Sequence, residues 1–335
     1  GIRVADVQTA GYTQGNPYFE RLTDSPSQSY LQYVQEQAQA ADHTFFSVWM
    51  AENDVLGYAT SGGAFSGGML NSPSRTITPL NIFDENFTAL LNILDGEGKE
   101  GILVTIPDVT AIPFFTTVGP SAKQLLTANN IPQFVALTGS GDSRIVVKTE
   151  MLNAATDGVY IPLTASAYLP LIGQTTGKYW RDLAKQVSPS QDPLIIRGTL
   201  AGLLANFKID TTAMFGLSGG NPIPSALLLD AAEQQNIKTA TTAFNNIIKA
   251  QAAQRGLALW DANAYFNSIR GGFTQYGVAY SPAFITGNLF SLDGVHLTPR
   301  GYAIAANEMI KSINSHYNAD VPLVDETQYR AVLLP

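Results

Sequence analysis

The stretch N-I-F-D-E-N-F-T-A-L-L-N-I-L-D-G-E-G-K-E-G-I-L-V-T-I, Asn81–Ile106, carries a helix signal and a strand signal in direct succession. Phe83, Phe87, Leu90, Leu91 and Leu94 recur at helical spacing, which predicts an amphipathic helix over Asn81–Leu94, closed by Gly96. Gly101–Ile106 is apolar with little alternation, the pattern of a strand covered on both faces. Working outward, Thr44–Met50 (T-F-F-S-V-W-M) reads as a second buried strand and Leu257–Trp260 as a third. Leu227–Arg255, ended by Gly256, reads as one long helix or two, and Ala262–Ile269 as a short one. Alternation of strands and helices predicts a parallel sheet with helices on its faces. Such sheets bind ligands outside the carboxyl ends of their strands, where Asn53 and Asp54 lie.

Beyond this frame, Ser29–Ala41 has helix-forming composition and Gly57–Gly68 reads as a glycine-rich loop. From Pro107 to Pro224 prolines are frequent and helical periodicity is weak. Gln133–Leu137, Arg144–Lys148 and Val159–Leu163 read there as short strands, and Ser188–Pro193 as a loop. Residues 108–225 are therefore expected to form an irregular, β-containing insertion or cap within a single α/β domain. Thr298 as N-cap and Pro299 at the first helical position open a helix over Pro299–Tyr317, with Tyr302, Ala306, Met309, Ile310 and Ile313 expected inward. Asn318–Pro335 is expected to lie over the surface as a tail.

Charge and composition bound the function. The net charge of −8 argues against nucleic acid or an anionic membrane face as partner. Cysteine is absent, which excludes disulfides and thiolate chemistry, and three histidines (His43, His296, His316) make a multi-histidine metal site a poor expectation. No apolar run reaches the length of a transmembrane helix. No cofactor is called for, and Gly57–Gly68 lacks the phosphate-loop pattern.

The chemistry concentrates in S-L-D-G-V-H-L-T-P-R-G, Ser291–Gly301. Asp293, three residues before His296 on a tight turn, can orient the imidazole as a general base. A bare D-x-x-H is common, and its bland reading is a turn-capping Asp beside a solvated His. Asn53 in A-E-N-D (Ala51–Asp54) can donate its side-chain N–H to an oxyanion; satisfying loop backbone is the more ordinary use of Asn. His43 and His316 read as structural or surface residues. Phe114, Phe115 and Tyr168 suit an acyl pocket, although ordinary packing explains them better.

Taken together, W-M-A-E-N-D-V-L-G-Y-A-T (Trp49–Thr60) and S-L-D-G-V-H-L-T-P-R-G-Y (Ser291–Tyr302) resemble blocks III and V of the SGNH/GDSL hydrolase superfamily, and most of all its Bacteroidetes lipoprotein-like branch. The resemblance implies a flavodoxin-like three-layer α/β/α core and ester hydrolysis through an acyl-enzyme, without metal or cofactor. It implies His296 as general base, Asp293 as its orienting acid, Asn53 as oxyanion donor, Gly1 at or near the oxyanion glycine, and Asp54 as a loop stabiliser. Two departures stand out. Ala51 replaces the glycine that usually opens block III, and the block I serine has no counterpart in the chain, which reads as truncated at its N-terminus. Gly141-Asp142-Ser143 spells the block I motif but is followed by a strand-like run, so a hairpin turn explains it better. Ser218 in G-L-S-G-G fits a nucleophile elbow, yet Asn221-Pro222-Ile223-Pro224 opposes the helix an elbow needs.

The expectation is a secreted or envelope-anchored serine esterase acting on a small ester, an acylated sugar or a lipid, with its nucleophile, and room for a lipid anchor, upstream of residue 1. The alternative is a catalytically silent scaffold of the same family that binds a surface glycan or lipid.

Overall fold

A computed structural model describes residues 1–332; the last three residues of the expected tail lie outside the described residues. The strands are β1 (Phe45–Val48), β2 (Glu100–Val104), β3 (Gln133–Leu137), β4 (Arg144–Lys148), β5 (Ala258–Trp260), β6 (Phe273–Gln275) and β7 (Val278–Tyr280). The helices are α1 (Tyr30–Ala41), α2 (Asn53–Thr60), α3 (Leu80–Leu94), α4 (Pro113–Thr116), α5 (Val118–Ala128), α6 (Lys178–Val187), α7 (Pro193–Asn206), α8 (Ala231–Arg255), α9 (Ala262–Ser268) and α10 (Pro299–Tyr317). The chain is mixed α/β, with small parallel and antiparallel sheets. Its contacts divide it into two compact units, Gly1–Leu56 with Ile77–Val109 and Lys238–Pro335, and Gly57–Thr76 with Thr110–Ile237.

The first unit is built on a parallel sheet of order β1-β2-β5, with Phe46 opposite Gly101 and Leu103 opposite Leu259. Gly101–Ile106 is buried throughout, as a central strand requires, whereas edge strand β1 alternates, with Phe45 and Ser47 exposed and Phe46 and Val48 buried. The rings of Phe83, Phe87 and Phe244 stack in series at centroid distances of 5.6 and 4.1 Å. That stack ties α3 to α8, and the stripe read at Phe83 and Phe87 is the buried side of α3.

α1 begins where its sequence signals: Ser29 and Gln32 form a reciprocal capping box. α10 spans the expected residues, with Thr298 Oγ1 accepting from Gly301 N–H. Its buried side differs from expectation. Gly301, Ala303, Ile304, Ala305 and Asn307 face inward, while Tyr302 is 44% exposed. The helix turns Asn307 inward because its amide meets the chain end: it donates to Val324 O and accepts from Val324 N–H, at 2.9 and 2.8 Å. Asn314, two turns on, makes the same reciprocal pair with Val321. The tail is thus a strap hydrogen-bonded along α10 rather than a loose covering, and Glu326 within it is buried, accepting from Gln275.

The second unit holds the antiparallel hairpin β3–β4 and a core that includes Phe134, Trp180, Leu203, Phe215 and Leu228. Its residues 110–237 overlap the expected insertion of 108–225, and residues 57–76 join them. Three expectations are corrected here. Gly57 lies inside α2, where a Cβ would stand 2.1 Å from Ser74 O, so the predicted glycine loop is partly helix. Val159–Leu163 forms isolated bridges through Val159 and Tyr160 instead of a strand. Weak periodicity notwithstanding, α5, α6 and α7 are helices.

Candidate functional site

The loop that carries Asp293 and His296 is closed on itself. Phe290 and Leu297 form an antiparallel bridge, Ser291 N–H donates to His296 O at 2.7 Å, and Thr298 N–H donates to Leu289 O at 2.8 Å. Gly301 permits this closure, because a Cβ there would stand 2.4 Å from Leu289 O.

Within the loop Asp293 has a partner for each oxygen. Its Oδ1 accepts from Ser291 Oγ, Val295 N–H and His296 N–H at 2.7, 2.8 and 2.9 Å. Its Oδ2 lies 2.7 Å from His296 Nδ1. Partial burial works against the charge of Asp293, but the donors from Ser291, Val295 and His296 outweigh it and hold the carboxyl well below the usual carboxylate range. A carboxylate only accepts, so the proton of a neutral His296 sits on Nδ1 and the Nε2 lone pair is left for other chemistry. The His296 side chain is 69% exposed, open to a ligand. Ser291, whose hydroxyl serves the carboxylate, is a residue that motif reading passed over.

The segment bearing Asn53 belongs to the same unit. Asn53 opens α2 and its Nδ2 donates to Ile2 O at 3.3 Å. Gly1 packs directly on that amide: a Cβ on Gly1 would stand 2.4 Å from Asn53 Nδ2. Asp54, fully buried, accepts from Val4 N–H, Ala5 N–H and Thr78 Oγ1 at 2.7, 3.1 and 2.6 Å, and so fixes the first turn of the chain against α2. Burial raises its pKa against the pull of those three donors. Ala51, buried, adopts φ of +100°, a backbone region that glycine occupies without cost.

Two aromatic residues bring the segments into one neighbourhood. The Trp49 ring lies edge-on to Tyr302 at 6.2 Å and to Trp260 at 5.4 Å. Tyr302 responds to both sides. Burial raises its phenol pKa, the backbone N–H of Leu297 opposes this, and the charges of Asp293 and Glu52 add to the rise. Glu52 turns its carboxyl inward, and Oε1 is buried without a hydrogen-bond partner. Burial pushes its pKa up, opposed by its own N–H and the Trp49 indole, with Asp54 adding to the rise. No site role for Trp49, Glu52 or Tyr302 is read from the sequence, where Tyr302 is expected only in the core and Glu52 carries no signal of its inward turn.

No family model matches this sequence, and no curated protein or solved structure matches it either.

The remaining candidates belong elsewhere. Ser143 lies in the β3–β4 turn, where its carbonyl accepts from Thr138 N–H, and strand β4 follows it at once. Ser218 lies in a turn whose Leu217 and Ser218 N–H groups both bond Met214 O, and its hydroxyl accepts from Gly220 N–H. No strand precedes it and no helix follows, so the elbow is not formed. Both serines are in the second unit, and all three histidines are in the first. His43 bonds Leu94 O and His316 bonds Gly256 O, each through Nε2. Phe114 and Phe115 are buried against each other, and Tyr168 donates to Asp182. Among the described residues no three His, Asp or Glu side chains are grouped to hold a metal ion, and no helix is long and apolar enough to cross a membrane.

Proposed function

We propose that the protein is a serine-type carboxylic ester hydrolase whose general base is His296. The observation that carries this reading is the Asp293–His296 pair: a carboxylate with every oxygen engaged holds Nδ1 of an imidazole whose side chain is 69% exposed. Two earlier features support it. Asn53 and Gly1 lie against each other as paired oxyanion donors would, and the Trp49–Tyr302 contact joins their segment to that of His296. On this reading the β1-β2-β5 sheet is part of an SGNH-type α/β/α sandwich.

The mechanism follows from these groups. Nε2 takes the proton from an attacking serine hydroxyl as an ester carbonyl becomes tetrahedral. Asn53 Nδ2 donates to the oxyanion. The imidazolium, held by Asp293, returns the proton to the leaving alkoxide, and the same base then activates water to release the acid. The hydroxyl is neither Ser143 nor Ser218. The site is compatible with small esters, acylated sugars or lipids, in a secreted or envelope setting.

The test is p-nitrophenyl acetate hydrolysis by the full-length protein beside its His296→Ala and Ser218→Ala variants. Removing the base should lower the rate by about 10²–10⁴-fold, and Ser218→Ala should leave it unchanged. Equal rates for wild type and His296→Ala would refute the assignment.

A further inference from the structure

Helix α7, P-L-I-I-R-G-T-L-A-G-L-L-A-N, lacks the polar outer side usual in a surface helix. Its inner side packs Leu203, Leu200, Leu204 and Ile196 on the core of the second unit. Its outer side is also apolar: Leu194 is 76% and Ile195 45% exposed, and Gly198, Ala201 and Ala205 continue the exposed stripe at helical spacing. Water therefore meets a mainly apolar face, interrupted by Arg197, Thr199 and, at its end, Asn206.

The helix before it supplies the opposite chemistry. α6 buries Tyr179, Trp180, Leu183 and Ala184 and exposes Lys178, Arg181 and Lys185, three cations on one side of the helix. Residues 178–208 contain five basic residues against two acidic ones, a net +3 within a chain of net −8. Both acids are engaged: Asp182 holds Lys178 and Tyr168, and Asp192 caps α7. Among the described residues Arg181, Lys185 and Arg197 make no ion pair with an acidic side chain.

We propose that the α6–α7 hairpin is a docking surface for an anionic lipid bilayer, with Leu194 and Ile195 entering the acyl boundary and Arg181, Lys185 and Arg197 meeting lipid phosphates. Exposed apolar residues on α7 and exposed cations on the helix packed against it, α6, supply the two contributions that hold a monotopic helix to an anionic interface. Charge selects this occupant over a second copy of the chain, because two copies meeting through the same face would bring six unpaired cations together. The proposal departs from the expectation drawn from net charge, which averages over a segregated surface. It does not depend on the esterase reading.

The experiment is co-sedimentation of the full chain with vesicles of equimolar phosphatidylglycerol and phosphatidylcholine, and with phosphatidylcholine alone, at low and high salt. The protein should pellet with the anionic vesicles, more at low salt, and far less with the neutral ones. Leu194→Ser with Ile195→Ser should weaken binding about tenfold or more. Reversing Arg181, Lys185 and Arg197 to Glu should weaken it about a hundredfold or more. All five side chains are exposed or point outward, and unchanged circular dichroism and Tm in each variant verify that the fold is intact. Failure to pellet with anionic vesicles, or binding indifferent to both sets of substitutions, overturns the proposal. So does a concentration-dependent dimer dispersed by the serine substitutions, which would make the face a contact between copies.

Discussion

Ala51 holds a backbone conformation that costs an L-residue about 1–3 kcal/mol, immediately before Glu52 and Asn53. Ala51→Gly should relieve that strain at the expense of one buried methyl, about 1 kcal/mol. The expected outcome is a modest rise in Tm by thermal denaturation; a fall would mean that the methyl packing outweighs the strain. At the same scale, Asp293 stays ionised wherever an imidazole titrates, so the acid limb of a pH–rate profile does not belong to it. The individual chemistry of Asp293, His296 and Asn53 was legible from residue type and motif. Glu52 was not, since nothing in a sequence distinguishes a Glu that points inward from one that points to water.

Among the elements, α8 starts with a second capping box, and both its carboxylates are buried. Asp230 Oδ1 accepts from Glu233 N–H, Glu233 Oε2 accepts from Asp230 N–H, Glu233 Oε1 accepts from Gly139 N–H, and Asp230 Oδ2 accepts from Thr138 Oγ1. Burial and then the charge of Asp230 push Glu233 up to about 8, against the two N–H donors. A carboxyl whose folded pKa is raised stabilises the fold fully below its unfolded pKa and loses that contribution as pH climbs through the folded value. The unfolding free energy should therefore decline between pH of about 4.5 and about 8. Glu233→Gln, which cannot ionise, should flatten the slope over that window in urea titrations, even though it also lowers the plateau by losing one N–H acceptor. An unchanged slope would show that Glu233 does not titrate there.

Helices with one apolar stripe and a marked end, such as α3 and α10, were legible in the sequence. Those of the second unit were not, for separate reasons. Gly119-Pro120 in α5 resembles a turn, but proline is harmless in the first turn of a helix. α7 is apolar on both sides and so has no period to detect. Spacing predicts the stripe at Tyr302 on α10 to face the core, because it cannot say which of two adjacent stripes is covered. Here the covering is decided by Leu289 against Gly301 and by the strap on Asn307.

For the molecule as a whole, what sequence order leaves open is which distant segments meet. β2 pairs with β5 although residues 110–237 lie between them in sequence, and Trp49 reaches Tyr302 from the other end of the chain. Each pairing depends on packing over separations that local patterns do not encode. The same holds for the chain end. Asn307→Ala with Asn314→Ala should release residues 319–330, and the part-buried groups of Val324 left unpaired should cost about 1–3 kcal/mol each, whereas water replaces the partners of the exposed Val321. Hydrogen exchange read by mass spectrometry should show lost protection across the strap with β2 amides unchanged; equal protection in the double variant would place the restraint elsewhere, for example on Arg300, which donates to Tyr329 O.

At Val321 and Val324 the two asparagines grip the strap by its peptide groups, not by the side chains of those residues. A grip of this kind places almost no demand on the identity of the two residues it holds. Positions 321 and 324 should accept nearly any amino acid but proline, whose missing N–H would silence half of each grip. Positions 321 and 324 are therefore free to drift in composition, acquiring new charges or modification sites, while the buried, side-chain-held Glu326 is not.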